Sequence, residues 1–114
     1  MRWMLALFLT LLACASAAQI PDPFVSTSHW EATESWGKNP LTYTLEPQGT
    51  FKSSDWDNGR GQGTWTHAGK TFVMIWPQYR GVLYQGSIEG EEIRGTAYNQ
   101  DGSIMGTFVF RLVR

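Results

Sequence analysis

From residue 29 to the end of the chain, apolar and polar positions alternate in short runs, and each run stops at a cluster of Gly, Pro, Asn or Asp. Alternation at a period of two marks strands with one face buried, and no segment of this stretch carries the 3.6-residue apolar period of a helix. Counting the runs predicts eight strands, near 29–36, 41–46, 49–54, 62–67, 70–76, 82–89, 92–99 and 103–112.

The C-terminal half fixes its own register. Asp101-Gly102 predicts a two-residue hairpin turn, because a type I′ turn needs positive φ at both central positions. Centred there, Ala97 faces Gly106, Gly95 faces Phe108 and Ile93 faces Phe110, all on one side with Leu112, while Arg94, Thr96, Thr107 and Arg111 take the other. A second turn with Gly90 at its first central position pairs Ile88 with Ile93, Gly86 with Gly95 and Tyr84 with Ala97. Two separate turn assignments thus give the same inner face. A third turn near Gly69 puts Trp65 on one face with Phe72, Met74 and Trp76. Inward glycines at 86, 95 and 106 allow strong bending and room for a neighbouring ring. The expected fold is all-β: a small antiparallel up-and-down meander closed into an eight-stranded barrel, which removes exposed edges.

The first residues read differently. Arg2 precedes a largely apolar run from Trp3 to Ala13, followed by Ala15-Ser16-Ala17-Ala18 and the breakers Pro21-Asp22-Pro23. That is the pattern of a secretory signal, and the run is shorter than the ~20 apolar residues of a spanning helix. The predicted organisation is a signal peptide over 1–18, an N-terminal tether over 19–28 and one β-barrel domain over 29–114. Leu11-Leu12-Ala13-Cys14 also resembles a bacterial lipobox, which would make Cys14 a lipidated N-terminus; the other reading is cleavage after Ala17 or Ala18. The protein is therefore expected to be exported, as a periplasmic, secreted or outer-membrane lipoprotein form, touching membrane only through such an anchor.

Composition narrows the function. With one Cys in 114 residues there is no internal disulfide framework, so packing and closure must hold the fold. The net charge of −1 and the lack of a Lys/Arg run argue against nucleic acid as a partner. His29 and His67 are the only histidines; His67, beside a hairpin turn, is expected to be exposed, and no His/Cys set has metal-site spacing. Ser53, Ser54 and Asp55 adjoin one another but have no histidine or nucleophile-elbow context. Glu89, Glu91 and Glu92 read as a solvated hairpin tip rather than a paired acid and base or a Ca²⁺ site. Gly59-Arg60-Gly61-Gln62-Gly63 lacks the Lys-Ser/Thr of a phosphate loop. No catalytic residue, cofactor or metal is expected.

Aromatic residues make up 14% of the chain, six of them Trp. Strand parity points Trp30, Trp36, Tyr43, Phe51, Trp65, Phe72, Trp76, Tyr84, Phe108 and Phe110 inward. A barrel of eight strands either fills with its own side chains or holds one small ligand. If hollow, the candidate ligand-binding residues are Trp30, Trp65, Trp76 and Tyr84, because Trp and Tyr offer an apolar wall with a polar tip. Trp56, Tyr79 and Tyr98 fall on loops or outer faces, where aromatics anchor partners.

Gly63-Thr64-Trp65, the string from Tyr84 to Thr96 and the closing strand Gly106-Thr107-Phe108-Val109-Phe110-Arg111 resemble the bacterial end of the avidin and lipocalin (calycin-type) barrels. The resemblance covers the C-terminal half and implies an up-and-down barrel that binds small molecules. Those families carry Gly-x-Trp on the first strand, whereas here it lies on about the fourth, so no ligand contact transfers by position. The expected function is a non-catalytic binding module of the cell envelope, holding a small apolar or aromatic ligand in the barrel. The alternative is an envelope interaction protein or inhibitor, meeting an envelope protein through loops on a solid barrel.

Overall fold

Eight antiparallel strands follow one another in the computed structural model, which describes residues 22–37, 40–54, 61–77 and 81–114. They are β1 (Ser28–Glu34), β2 (Leu41–Leu45), β3 (Thr50–Ser53), β4 (Gln62–Ala68), β5 (Thr71–Trp76), β6 (Val82–Glu89), β7 (Glu92–Tyr98) and β8 (Ile104–Leu112). Each pairs with the next in sequence, and β8 returns to β1, so the sheet is a closed up-and-down barrel with no free edge. This is the predicted fold class, and the strand bounds differ from the expected ones by two residues or fewer. The expected signal peptide, with Cys14, lies outside the described residues, as do Asp55, Trp56, Gly59, Arg60 and Tyr79.

The register confirms the inner face. Ile88 pairs with Ile93, Gly86 with Gly95 and Tyr84 with Ala97; on the other side Ile93 faces Phe110, Gly95 faces Phe108 and Ala97 faces Gly106. The turn that sets the last hairpin is not the expected two-residue one. Gly102 N–H bonds to the Asn99 carbonyl, Asn99 N–H bonds to that of Ser103, and Gly102 has φ +89°. This is a three-residue loop ending in a left-handed glycine. It shifts the register by one, and an irregularity between Ala97 and Tyr98 shifts it back, leaving Met105 as the extra residue of β8. The two offsets cancel, so the inner face is unchanged. Glu46-Pro47-Gln48-Gly49-Thr50 closes the β2–β3 turn with the same hydrogen-bond pattern.

Inside, Trp30, Tyr43, Phe51, Phe72 and Phe110 have no solvent-accessible surface, nor do Ala32, Leu45, Met74, Ile93 and Ala97. A side chain without accessible surface borders no water-sized space, so these ten residues pack the barrel interior solidly, with Trp30 toward its N-terminal end. The rings meet at contact distance: Tyr43 and Phe110 at 4.8 Å between centroids, Phe108 and Phe110 at 4.9 Å, Phe51 and Trp76 at 5.0 Å. Room for them comes from the Gly86–Gly95 pair. A Cβ on Gly86 would lie 2.5 Å from the Arg94 carbonyl oxygen and 3.0 Å from Phe108 Cζ, so only glycine lets the ring lie against this wall.

Two inner-face expectations need correction. Trp36 lies two residues beyond the end of β1 and is 37% exposed: its ring covers the rim, against Tyr84 and Gly106, instead of filling the interior. His67 is half-buried rather than exposed: it shares inward parity with Trp65 on β4 and stacks on it at 5.9 Å. The segment read as a tether also contributes to the core, since Phe24 is buried against Trp30 and Trp65.

Trp65 is part of this core, and its indole N–H is shared between the carbonyls of Glu46 and Thr50, each at 3.0 Å. Replacing Trp65 with Ala is expected to cost about 3–5 kcal/mol of unfolding free energy in urea titration. A loss under about 1 kcal/mol would contradict the core role.

Candidate functional site

Strands β1, β3, β5 and β7 run toward one end of the barrel, so the β1–β2, β3–β4, β5–β6 and β7–β8 connections gather there. The other end carries the tight turns at 46–49, 69–70 and 90–91 and both ends of the barrel strand order. The filled middle separates the two. Each end has its own chemistry.

At the loop end, β1 finishes on an inward carboxylate. Its inward row is Ser28, Trp30, Ala32 and Glu34, and Glu34 is buried opposite Phe108 of β8. Tyr43 of β2 donates its phenol O–H to Glu34 Oε2 at 2.8 Å, and Tyr84 of β6 donates to the same oxygen at 2.5 Å. The Tyr84 bond is short, in the range of hydroxyl-to-carboxylate bonds, and the Tyr43 bond has an ordinary length. They link three strands across the interior, two of them not neighbours in the sheet. Trp76 of β5 lies beside both phenols, at 5.9 Å from Tyr43 and 6.4 Å from Tyr84. Trp36 meets Tyr84 edge-on at 5.7 Å and lies over Gly106, where a Cβ would come within 2.6 Å of its ring. Ser53, paired with Tyr43 in the sheet, is also inward and buried. The result is one acidic, hydrogen-bonding point set in an aromatic wall at the loop end.

Burial pushes the Tyr43 phenol well above its ordinary value, with smaller contributions from Tyr84 and the Glu34 carboxylate beside it. Tyr43 therefore stays neutral and remains a donor; ionising it would put a second negative charge next to Glu34 in a desolvated place.

At the other end, Phe24 closes the barrel. Its ring lies nearly parallel to Trp30, 8° apart at 5.7 Å, and tilts against Trp65 at 5.3 Å and His67 at 4.8 Å. The Trp30 indole N–H is held by Ser28 Oγ at 2.7 Å. His67 Nδ1 is buried with no hydrogen-bond partner among the described residues.

The four candidate ligand residues therefore divide. Trp30 and Trp65 sit at the Phe24 end, Trp76 and Tyr84 at the loop end, with the filled middle between. The residue missed in the sequence is Glu34. Its signal was present, since it shares parity with Trp30, and a carboxylate on the buried face of a strand is rare unless partnered. The remaining polar candidates lie elsewhere. His29 is exposed, 3.1 Å from Thr44 Oγ1. Ser54 Oγ accepts from the Thr42 amide. At the hairpin tip, Glu92 pairs with Arg94 at 2.9 Å and Arg111 at 3.0 Å, Glu91 pairs with Arg114, and hydrogen bonds from Arg111 and then Arg94 hold the Glu92 carboxyl below its ordinary value.

No protein-family model, curated protein or solved structure matches the chain. The likeness to calycin-type barrels thus stands at the level of architecture, with which a closed eight-stranded antiparallel meander is compatible.

The Tyr43 shift has a consequence for alkaline stability. The folded chain holds this proton more tightly than the unfolded chain, which releases it near pH 10. The contribution is complete below about pH 10 and is lost as pH rises above it, at up to about 1.4 kcal/mol per unit. Urea titrations between about pH 8 and 11 should show this alkaline fall in the wild type and a shallower one in Tyr43→Phe. Equal slopes would show that Tyr43 is not the group responsible.

Proposed function

We propose that this protein is an exported, non-catalytic binding module of the cell envelope that takes a small apolar or aromatic ligand at the loop end of its barrel. The observation that carries this reading is the Glu34 carboxylate shared by the Tyr43 and Tyr84 hydroxyls within a wall of rings. Small-molecule sites are mostly apolar surfaces with a few fixed polar groups that set orientation, and the three side chains hold one another in place there. Trp76, Tyr84 and the partly exposed Trp36 supply the flat apolar faces. Because the middle is filled, the ligand is expected to rest in the mouth rather than thread the barrel.

Export rests on Arg2, the apolar run to Ala13 and the small residues that follow. Lipidation at Cys14 would give an outer-membrane lipoprotein, and cleavage after Ala17 or Ala18 a periplasmic or secreted one. A relationship to the calycin-type barrels is proposed on the same footing, from strand number, meander order and the Gly-Thr-Trp and Gly-Thr-Phe strings.

A second reading draws on the outer wall. Register aligns Ile75, Leu83, Tyr98 and Ile104 in one outward row across β5, β6, β7 and β8, close to the loop end. Ile104 is 68% exposed and Ile75 39%. Such a row on a solid barrel suits an envelope interaction protein or inhibitor that engages a protein partner.

Native mass spectrometry of the mature protein purified from its own host separates the two. Added mass that leaves on denaturation is expected for the binding module. A bare polypeptide mass would overturn that reading in favour of the outer row and the loops.

A further inference from the structure

We propose that the end of the barrel opposite the loops is a second, ring-binding site: an aromatic box of Trp30, Trp65 and His67 that Phe24 fills in cis, and that a small phenol-type molecule enters in its place. Three aromatic rings lie against the Phe24 ring, at 5.7, 5.3 and 4.8 Å: Trp30 from β1, and Trp65 and His67 from one face of β4. Two of the walls, Trp65 and His67, are themselves nearly parallel, 14° apart. A benzene-sized ring is thus already seated in the box, which shows the shape and chemistry that it accepts.

The occupant is held by its side chain. Among the described residues, the backbone N–H groups given for this segment before the barrel begins bond only to Asp22: Phe24 N–H to Asp22 Oδ1 at 2.8 Å and Val25 N–H to the Asp22 carbonyl at 3.3 Å. Thr27 Oγ1 adds one exposed bond to Glu46 Oε2, and sheet pairing starts at Ser28. Val25 is 73% exposed, and an open groove of about 300 Å³ runs between the segment and Leu112–Arg114. The ring can therefore leave the box without breaking the strand ladder.

Phe24 is also an incomplete ligand. The polar tips of the two tryptophans are engaged, Trp30 by Ser28 Oγ and Trp65 by two carbonyls. His67 Nδ1 is buried and unpartnered, and a hydrocarbon ring offers it nothing. A phenol fills the same volume and brings a hydroxyl that donates to Nδ1 or accepts from it, whichever tautomer the imidazole takes. The box should prefer a phenol to the matching hydrocarbon, because only the phenol satisfies the buried nitrogen.

Calorimetry with p-cresol and toluene on the full mature chain tests this. Phe24→Ala, with a wild-type circular dichroism spectrum, is expected to bind p-cresol about tenfold more tightly than toluene and about tenfold more tightly than the wild type does. Adding His67→Phe should keep toluene binding and bring the two affinities to within about twofold. A folded Phe24→Ala chain that binds p-cresol no better than the wild type, or no better than toluene, overturns the proposal. Should Phe24→Ala not fold, the wild-type chain decides: millimolar p-cresol must shift the Phe24 and Val25 amide resonances, and unchanged resonances overturn it.

Discussion

Five residues of β1, from Trp30 to Glu34, lie against Leu112 to Phe108 of β8, and this ladder joins the first strand to the last. Without it the sheet would be an open meander with two unsatisfied edges and an aromatic face in water. With it, the rings that alternate along every strand are enclosed together, and their mutual packing becomes the core. The single cysteine offers no disulfide to do this work, so closure and ring packing sustain each other. Neither is stable alone, because a small domain buries too little surface unless nearly all its large side chains meet.

Closure also produces two different ends. The middle is filled by Tyr43, Phe51, Phe72, Met74, Phe110 and their neighbours, so any chemistry must lie at the rims. At the loop end the ladder sets Glu34 opposite Phe108, within reach of phenols from β2 and β6. A carboxylate there satisfies two buried hydroxyls that would otherwise cost stability, while burial of the Tyr43 phenol, with smaller contributions from Tyr84 and Glu34, keeps Tyr43 protonated. At the other end the wall is aromatic and the closure comes from Phe24, a residue outside the sheet. One end is polar and held by hydrogen bonds across the barrel; the other is apolar and held by stacking.

Glycine makes both arrangements compatible with so short a barrel. The absence of a side chain at Gly86 lets Phe108 approach the sheet closely, and Gly106 lets Trp36 fold over the rim. Left-handed glycines at 49 and 102 close three-residue loops, one of them balanced by the irregularity at Ala97 and Tyr98. That balance explains why an incorrect turn length still led to the correct pairing of Ala97 with Gly106: inward parity along β8 is fixed by the burial of Phe108 and Phe110, and the loop must adjust to it.

Local and periodic features are legible in the amino-acid order. Alternation defined eight strands, Gly90 and Gly69 defined two turns, and parity defined the faces of β4 to β8, because each depends on residues near one another in the chain. Parity even pointed Glu34 inward, although its meaning was not legible there. Which inward residues meet is settled by the folded barrel alone. Tyr84 reaches Glu34 from fifty positions away, Trp30 and Trp76 fall at opposite ends, Trp36 escapes to the rim, and Phe24 folds back onto His67. Strand pattern fixes the side on which a residue lies; closure, register and the path of the segments outside the sheet fix its height in the barrel and its neighbours, and those depend on pairings that no local signal encodes.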